Sequence, residues 1–339
     1  MNVIYDIDIN LDACTGCGLC EAFCPVEVFD MVDGMPKAPR AEACWGCETC
    51  VGQCPEGAIT ITPREGAEEG AEQCAAAGDA VHGGTTGVQS GQKAPALSQE
   101  ERELYNGWAQ TMKDVLGLRW HPVAISLIPA NEPLPDVPVP NERMRYCQSL
   151  IAARRGRSIM LPANRHACPD GTSILGLTEM PAKLASGELY ILFHKLDNVE
   201  AAKRMTGERP HLEPRTVRAT VVAPLDDAKC TPQVVAVFAN PEQVMWLLMA
   251  SSYYTGHRHD LHASGYNAQC VETTLIPYTS GEINVSFGCY GCRASSDVSD
   301  DIMFVGIPVS LMPEVIRGLK ELGKKAIPQS RDKIYLPVA

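Results

Sequence analysis

The first 55 residues contain one cysteine pattern twice, with the second copy thirty positions after the first. The copies run from Cys14 to Pro25 and from Cys44 to Pro55, and each has the spacing Cys-x2-Cys-x2-Cys-x3-Cys-Pro. Thiols at positions i, i+3 and i+6 crowd around one metal centre more naturally than they pair into disulfide bridges. The pattern therefore favours a metal-binding fold at the start of the chain.

Each copy has the spacing with which bacterial proteins bind [4Fe–4S] clusters, where the fourth cysteine of a run ligates the other cluster. On this crossover rule, the first cluster is held by Cys14, Cys17, Cys20 and Cys54. The second cluster is held by Cys44, Cys47, Cys50 and Cys24. Zinc ribbons use two separate Cys-x2-Cys pairs, and no signal peptide indicates a compartment that favours disulfides. We therefore expect two [4Fe–4S] clusters.

Residues 1–62 resemble a bacterial two-cluster ferredoxin, including the apolar stretches at 3–9 and 58–61 that this family pairs. The resemblance implies that this segment carries electrons. The segment has ten acidic and two basic side chains, so it holds −8 of the total net charge of −12. This charge argues against nucleic-acid binding and predicts docking to the basic surface of a protein redox partner.

The rest of the chain divides into a linker and one larger domain. Residues 63–97 consist mainly of small and polar residues, which predicts a flexible linker. Residues 98–339 mix helical and strand patterns without strict alternation, so we expect an α+β fold. No apolar run approaches the ~20 residues that a membrane span needs. Together with the start of the sequence, this predicts a cytoplasmic protein.

Several elements of the larger domain can be placed. Ser98 and Glu101 form a capping box, and Gly117 ends the helix that follows. Its apolar positions are Leu104, Trp108, Met112 and Val115. Strands are expected at 123–128, 159–161, 190–193, 217–222, 234–238, 283–287 and 303–307. Further helices are expected near 145–155, 241–254 and 313–322, the last of them ended by Gly323.

A second group of cysteines lies in the larger domain. Its members are Cys147, Cys168, Cys230, Cys270, Cys289 and Cys292. A single buried cysteine is usually a small hydrophobic residue, but grouped thiols in a reducing compartment more often bind metal or act in catalysis. Four interpretations stay open: a third Fe–S cluster, zinc or another metal, a redox dithiol, and no site.

Five short motifs in this region are similar to those of the family called domain of unknown function 169. They are Arg145-Tyr146-Cys147, Cys168-Pro169-Asp170-Gly171, Leu175-Gly176-Leu177, Asn240-Pro241-Glu242-Gln243 and Cys289-Tyr290-Gly291-Cys292-Arg293. The resemblance spans about residues 100–325 and implies no particular activity. Cys292 departs from the usual family pattern. Fused to a ferredoxin, such a domain looks like the electron-accepting half of a redox enzyme.

We predict that Cys147, Cys168 and Cys289 supply three thiolates of a third Fe–S cluster, and that Cys270 or else Cys292 supplies the fourth. Where it is not a ligand, Cys292 is a spare thiol or proton donor, and Arg145 or Arg293 holds an anionic substrate group. Two further clusters of side chains are open to either a functional or a structural interpretation. They are the arginines Arg143, Arg145, Arg154, Arg155, Arg157 and Arg165, and the histidines His257, His259 and His262. The arginines form an anion site or a solvated face, and the histidines form a metal or proton-transfer site or a surface loop.

These observations predict an iron–sulfur oxidoreductase that reduces a small organic substrate or another metallocofactor. No nicotinamide or flavin motif is visible, so the redox partner is expected to be another protein. We also allow for a homo-oligomer. Two alternatives stay open: a non-catalytic electron-transfer subunit of a larger redox complex, and a metal-handling or sensing protein.

Overall fold

A computed structural model describes residues 5–44, 46–64 and 96–325. The first two ranges form a thiol-rich N-terminal module, and the third forms the larger domain. The linker predicted at 63–97 lies for the most part outside the described residues. Among the helices that the structure describes, none combines the length and apolar character that a membrane crossing requires.

The N-terminal module repeats in structure what it repeats in sequence. Each thiol run continues into a five-residue helix, α1 (Leu19–Phe23) or α2 (Thr49–Gln53). The residue before each helix is left-handed, with φ of 74° at Gly18 and 58° at Glu48. The strands are β1 (Tyr5–Ile9), β2 (Asp30–Val32), β3 (Met35–Lys37) and β4 (Ile59–Pro63), with β1 antiparallel to β4 and β2 antiparallel to β3. The first and last strands therefore bring the two ends of the module together.

The larger domain is built on one antiparallel sheet of six strands. The strands are β5 (Val123–Pro129), β6 (Ile159–Pro162), β7 (Val217–Pro224), β8 (Val234–Ala239), β9 (Asn284–Ser286) and β10 (Met303–Pro308), in the order β6-β7-β5-β8-β10-β9. Successive side chains of a strand point to opposite faces. In β8, Val235 and Val237 enter one apolar core, whereas Val234 and Ala236 enter the other. Both faces of the sheet are therefore buried.

Helices cover both faces of this sheet. The first face carries α3 (Gln99–Leu116), α9 (Pro241–Ser252) and α12 (Met312–Lys325). The second face carries α4 (Tyr146–Arg154), α5 (Pro169–Ile174), α11 (Tyr290–Ser295) and a π-helix (Ala268–Leu275). The remaining helices are α6 (Ala182–Ala185), α7 (Glu188–Leu192), α8 (Val199–Glu208) and α10 (Ile276–Ser280). Four of the larger domain's cysteines (Cys147, Cys270, Cys289 and Cys292) belong to the second apolar core.

One glycine fixes how closely the π-helix approaches the sheet. A Cβ added to Gly306 of β10 would lie 2.0 Å from the carbonyl oxygen of Thr273. No larger residue fits between this strand and the π-helix without moving one of them. The position of Cys270, which lies in the same π-helix, therefore depends on a small residue in the sheet.

The structure confirms the mixed α+β class and most of the predicted elements. Ser98 and Glu101 form the expected capping box of α3, and Gly117 ends the helix with φ of 66°. The predicted apolar face was wrong at Leu104, whose side chain is exposed, because Tyr105 faces the core in its place. The apolar spacing located the helix correctly but its inner face only approximately.

Two other expectations were wrong. The strand predicted at 190–193 is part of helix α7 and the residues just after it, because a short apolar run cannot be assigned to a strand or a helix by periodicity. Gly187, with φ of 80°, precedes this helix. Gly323 does not end α12, which continues to Lys325.

Candidate functional site

Seven of the eight thiols of the N-terminal module fall into two interacting groups. Cys20 interacts electrostatically with Cys14 and Cys17. The second group combines the later run with one cysteine of the earlier run, and its members are Cys24, Cys44, Cys47 and Cys50. Cys24 of the earlier run thus lies with the thiols of the later run.

Burial and, to a smaller extent, the neighbouring thiols raise the pKa of Cys50 to about 12. Burial also raises the pKa values of Cys20, Cys24 and Cys44. Such thiols ionise only when a cation replaces their protons, as bound metal does. Backbone amides favour the thiolate form of the last cysteine in each run. The amide of Val28 donates to Cys24 Sγ, and the amide of Ala58 donates to Cys54 Sγ, each at 3.2 Å. This donor set fits an Fe–S cluster in each group.

Five thiols of the larger domain come from four elements of the second helical layer, since Cys289 and Cys292 share α11. Cys147 lies in the first turn of α4, and Cys270 lies in the π-helix. Cys168 caps α5, where its sulfur accepts a hydrogen bond from the Gly171 amide at 3.5 Å. Cys289 caps α11 in the same way, accepting from the Cys292 amide at 3.4 Å. Helix starts favour negative charge, so these positions suit thiolates.

These five thiols form one interacting group. Cys147 interacts with Cys292, Cys168 and Cys289, and Cys270 interacts with Cys168 and Cys289. The hydrogen bond that Cys147 donates to the sulfur of Cys292 raises the pKa of Cys147 and lowers the pKa of Cys292. Burial raises the pKa values of Cys168, Cys270 and Cys289. The structure therefore brings together the four cysteines predicted as metal ligands and also Cys292.

The spacing of the sulfurs bears on the kind of metal. Zn–S bonds of ~2.3 Å place the sulfurs of a tetrahedral zinc site about 3.8 Å apart. Within the described residues, no three sulfurs of either cysteine set lie within 4.8 Å of one another. The larger domain's thiols are therefore more openly spaced than one zinc ion requires, as are the thiols of the N-terminal module.

Cys230 is the member of the second cysteine set that lies elsewhere. It packs with Ile128, Val137 and Met160, whereas the other five belong to the second helical layer. Burial raises the pKa of its thiol, which hydrogen-bonds with Ser126. Cys230 packs against this separate core and is a control position for substitutions of the other five cysteines.

Comparison with known proteins assigns both parts of the chain. Residues 13–59 match the model of a 4Fe–4S dicluster domain. Residues 111–318, more than half of the chain, match the model of the family DUF169, described as uncharacterised ArCR. The chain belongs to the DUF169 family. The predicted fusion of a ferredoxin-type segment with this family is thereby confirmed.

A relative from Methanocaldococcus jannaschii, described as an uncharacterized protein, is 26% identical to the chain over 201 residues. The match covers 58% of this chain and 86% of the relative. No solved structure matches the chain. The comparisons support electron transfer by the 4Fe–4S segment and assign no activity to the DUF169 domain.

Two cations lie beside the thiols of the DUF169 domain. Arg145 interacts with Cys168, and its guanidinium lies next to Gly291 between Cys289 and Cys292. Lys195 interacts with Cys289, and Nζ lies 5.9 Å from the centre of the Tyr290 ring. Sequence reasoning missed Lys195, because it follows the segment misassigned as a strand.

Arg293 is placed differently from its prediction. Its Nε and Nη2 donate to the carbonyl oxygen of Phe287 at 2.9 and 2.5 Å, and Nη2 also donates to the carbonyl of Ile302 at 2.8 Å. These bonds fasten the loop before Cys289 and occupy the donors that a substrate anion would need. These bonds give Arg293 a structural role in this loop, and substrate binding by Arg293 stays a prediction.

A buried polar network supports two of the cysteine positions. Arg209 Nη1 lies 3.1 Å from Asp170 Oδ1, and it donates at 2.7 Å to Tyr190 Oη and to Asn267 Oδ1. Asn267 also donates to Asp170 at 3.0 Å. Asp170 is in the first turn of α5, and Asn267 precedes the π-helix. The network therefore connects the elements that carry Cys168 and Cys270. Only Asp170 was visible beforehand, as part of a family motif.

The histidine-rich loop forms a separate cluster. His257, His259 and Glu282 have ligand atoms within 4.8 Å of one another. The hydroxyls of Ser251 and Ser252 lie 2.7 and 3.1 Å from His259 Nε2. His262 differs, because its backbone amide donates to Asn284. The cluster contains two of the three predicted histidines together with one carboxylate.

Three contacts join the N-terminal module to the DUF169 domain. The rings of Phe23 and Phe193 have centroids 4.9 Å apart. Lys183 Nζ donates to the carbonyls of Glu21 and Ala22 at 2.8 and 3.1 Å, at the end of α1. The third contact places the Arg143 guanidinium 5.6 Å from the centre of the Tyr5 ring. All three lie close to the second group of thiols, because Phe23 precedes Cys24 and Lys183 interacts with Cys24.

The predicted arginine cluster is therefore divided. Arg143 and Arg165 both interact with Tyr5 of the N-terminal module. Arg145 lies at the thiols of the DUF169 domain. Arg154 packs over Phe238 and Trp120, and Arg155 pairs with Asp297 at 2.5 Å. Only part of the segment thus contacts the acidic module.

Proposed function

We propose that the chain is an iron–sulfur oxidoreductase in which electrons pass from the N-terminal module to a cysteine-lined site in the DUF169 domain. [4Fe–4S] clusters, when bound, supply one-electron transfer at low potential. The observation that supports the proposal best is the grouping of five thiols from four segments in a domain that also contacts the second thiol group of the module.

The ligands follow from the thiol groups. In the module, we assign Cys14, Cys17, Cys20 and Cys54 to one cluster and Cys24, Cys44, Cys47 and Cys50 to the other. In the DUF169 domain, we assign Cys147, Cys168, Cys270 and Cys289 to a third. Cys292, whose sulfur accepts a hydrogen bond from Cys147, is left to hold or release a proton.

Aromatic and basic side chains lie between the two parts. Lys195 Nζ is 5.4 Å from the centre of the Phe193 ring, and Phe193 in turn contacts Phe23 beside Cys24. Lys195 also lies over Tyr290, which follows Cys289. These side chains form a series of contacts between Cys24 of the module and Cys289 of the DUF169 domain. Arg145 and Lys195 are positioned to bind an anionic group of a small substrate, such as a carboxylate or phosphate.

The electron donor would be a protein that docks on the module away from the DUF169 domain. Cys17 is exposed there, and so is the apolar side chain of Leu11. The acidic charge of the module suits a basic partner surface. We further propose domain boundaries near residues 62 and 98 and a cytoplasmic location.

Iron counting on the full chain tests the ligand assignment. Protein purified anaerobically should contain roughly twelve irons if three [4Fe–4S] clusters bind, and roughly eight if only the module is loaded. Cys168→Ala should lower the count by about four, whereas Cys230→Ala should leave it unchanged. A wild-type count near eight, unaffected by Cys168→Ala, would remove the third cluster from the proposal.

The hydrogen bond between Cys147 and Cys292 favours a second candidate, a redox dithiol in place of the third cluster. Opening a disulfide between these sulfurs takes up two electrons and two protons. An iron count of about eight would then accompany the loss of two free thiols on mild oxidation. Cys292→Ser should prevent that loss, and Cys230→Ser should not.

Exposed aromatic side chains favour a third candidate, a non-catalytic electron-transfer subunit. Phe287 is 60% exposed and Tyr290 is 77% exposed, on either side of Cys289. Large exposed apolar side chains beside a redox site suit contact with another protein. A partner that copurifies in equal amount and is lost with Tyr290→Ser would support this candidate. A chain that reduces a small molecule without a partner would oppose it.

A further inference from the structure

Arg143 of the DUF169 domain reaches into the N-terminal module at the second thiol group. Its guanidinium lies over the Tyr5 ring. That ring packs against Gly46, between Cys44 and Cys47, so closely that a Cβ on Gly46 would lie 2.6 Å from Tyr5 Cζ. Arg143 also interacts electrostatically with Cys47 and Cys44. One cation of the DUF169 domain is therefore held against the loop that carries two of these thiols.

The donors of Arg143 are not all used. Within the described part of the chain, Nε and Nη1 are buried and have no hydrogen-bond partner. Burial lowers the pKa of this guanidinium, while Tyr5, Cys47 and Cys44 oppose that change. Burying a charged donor without an acceptor destabilises the fold. Two unpaired donors beside a group of thiols indicate an acceptor that belongs at this position.

A [4Fe–4S] cluster held by Cys24, Cys44, Cys47 and Cys50 is such an acceptor, so this inference rests on the proposed ligand assignment. Four thiolates give the oxidised cluster a charge of about −2, and reduction adds one more negative charge. Hydrogen bonds to the sulfurs and nearby positive charge both favour the reduced form. Lys183, which interacts with Cys24, acts in the same direction.

The first thiol group has a different environment. The main influences on the pKa of Cys20 come from the module itself, namely burial, the local backbone, Cys14 and Cys17. The contacts with Arg143, Lys183 and Phe193 lie on the side of the second group. The DUF169 domain therefore makes the electrostatics of two similar cysteine runs unequal.

We propose that Arg143 donates hydrogen bonds to the sulfurs of the cluster held by Cys24, Cys44, Cys47 and Cys50, and thereby raises its reduction potential above that of the first cluster. The reduced state is then favoured at the thiols nearest the DUF169 domain. Arg143 is a positioning and tuning residue, because it acts on the potential and contacts no substrate.

The test is an EPR-monitored redox titration of the full chain, purified anaerobically. The signal of the second cluster is identified by its loss in Cys50→Ala. Arg143→Gln should lower the potential of that signal enough to change its reduced-to-oxidised ratio at least tenfold, which is 59 mV for one electron. The first cluster should titrate as in the wild type. Arg154→Gln is the matched control, since this buried arginine of the same segment packs on Phe238, and it should leave both potentials unchanged.

The outcomes separate this inference from the proposed function. If the second cluster loads normally and titrates at the wild-type potential in Arg143→Gln, the inference is wrong while the ligand assignment stands. If wild-type protein lacks that cluster, the ligand assignment itself fails. If Arg143→Gln does not load, Arg143→Lys decides, because it keeps the charge but loses the two-nitrogen fork. A wild-type potential in Arg143→Lys would overturn the proposed hydrogen bonds, and a lowered one would support them.

Discussion

The two cysteine sets of this chain are assembled in different ways. The module's thiols lie in two runs of eleven residues each; every run contains a short helix and is followed by a backbone amide that donates to its last sulfur. The thiols of the DUF169 domain are drawn from positions 147 to 292 and meet only because the sheet and its helices bring them together. The first set is therefore specified by local spacing, and the second depends on the stability of a whole domain.

Their surroundings differ as well. The module carries most of the chain's net negative charge, and Arg143 and Lys183 of the DUF169 domain interact with its second thiol group. The thiols of the DUF169 domain are accompanied by Arg145 and Lys195 of their own domain. Positive side chains thus lie beside thiols of both cysteine sets.

The largest effect is expected when a cysteine of one run that is assigned to the other run's cluster is removed. Cys24→Ala lies in the first run but should abolish the same EPR signal as Cys50→Ala, with a loss of roughly four irons. Cys54→Ala lies in the second run and should instead abolish the signal lost in Cys20→Ala. If Cys24→Ala removed the Cys20 signal, each run would hold its own cluster and the crossover would be wrong.

A smaller effect tests whether the cysteines of the DUF169 domain depend on the buried network of Arg209 and Asp170. Arg209→Met leaves the carboxylate of Asp170 buried without its cation, which typically costs about 3–5 kcal/mol of unfolding free energy. Anaerobic urea unfolding of the full chain should show this loss in the transition of the DUF169 domain. Iron bound by that domain should fall with it, while the module keeps both EPR signals.

The matched control for Arg209→Met lies in the module. Arg40 pairs with Asp30, but both side chains are more than 40% exposed. Exposed pairs contribute little because water and salt screen them. Arg40→Met should therefore leave both transitions unchanged. Equal effects of the two substitutions would show that the Asp170 network is not what holds the second cysteine set.

The smallest effect is a change in how the stability of the DUF169 domain depends on pH. Burial by itself raises the pKa of Asp226, but hydrogen bonds from Lys113 and His121 outweigh it and hold the pKa below its ordinary value. A carboxyl group whose pKa is lower in the folded than in the unfolded chain stabilises the fold at pH values above its unfolded pKa of about 3.9. This contribution is lost as the pH falls through the pKa of the folded state. Asp226→Asn should therefore lower the unfolding free energy of the DUF169 domain at pH 6–7. The difference from wild type should shrink below about pH 4, and a constant difference would contradict this assignment.

Much of the fold could be predicted from local signals. The capping box at Ser98, the end of α3 at Gly117 and most strands of the sheet were located from short patterns. The segment around Tyr190 was misassigned, because five consecutive apolar residues fit a buried strand as well as a helix. The continuation of α12 past Gly323 was missed because a glycine within a helix resembles one that ends it.

The sequence alone determined the N-terminal cysteine runs and the two families, because ligands three residues apart need no distant partner to meet. It also suggested which cysteines of the DUF169 domain belong together. Only the tertiary structure separated Cys230 from the others, paired Cys147 with Cys292 and turned Arg293 toward backbone carbonyls. It also brought Lys195 to Cys289 and Arg143 to the loop of Cys44 and Cys47. Apart from the bonds of Arg293, these contacts join residues tens to more than a hundred positions apart. They form because the two faces of one sheet and the docked module fix where each helix begins, which no local pattern records.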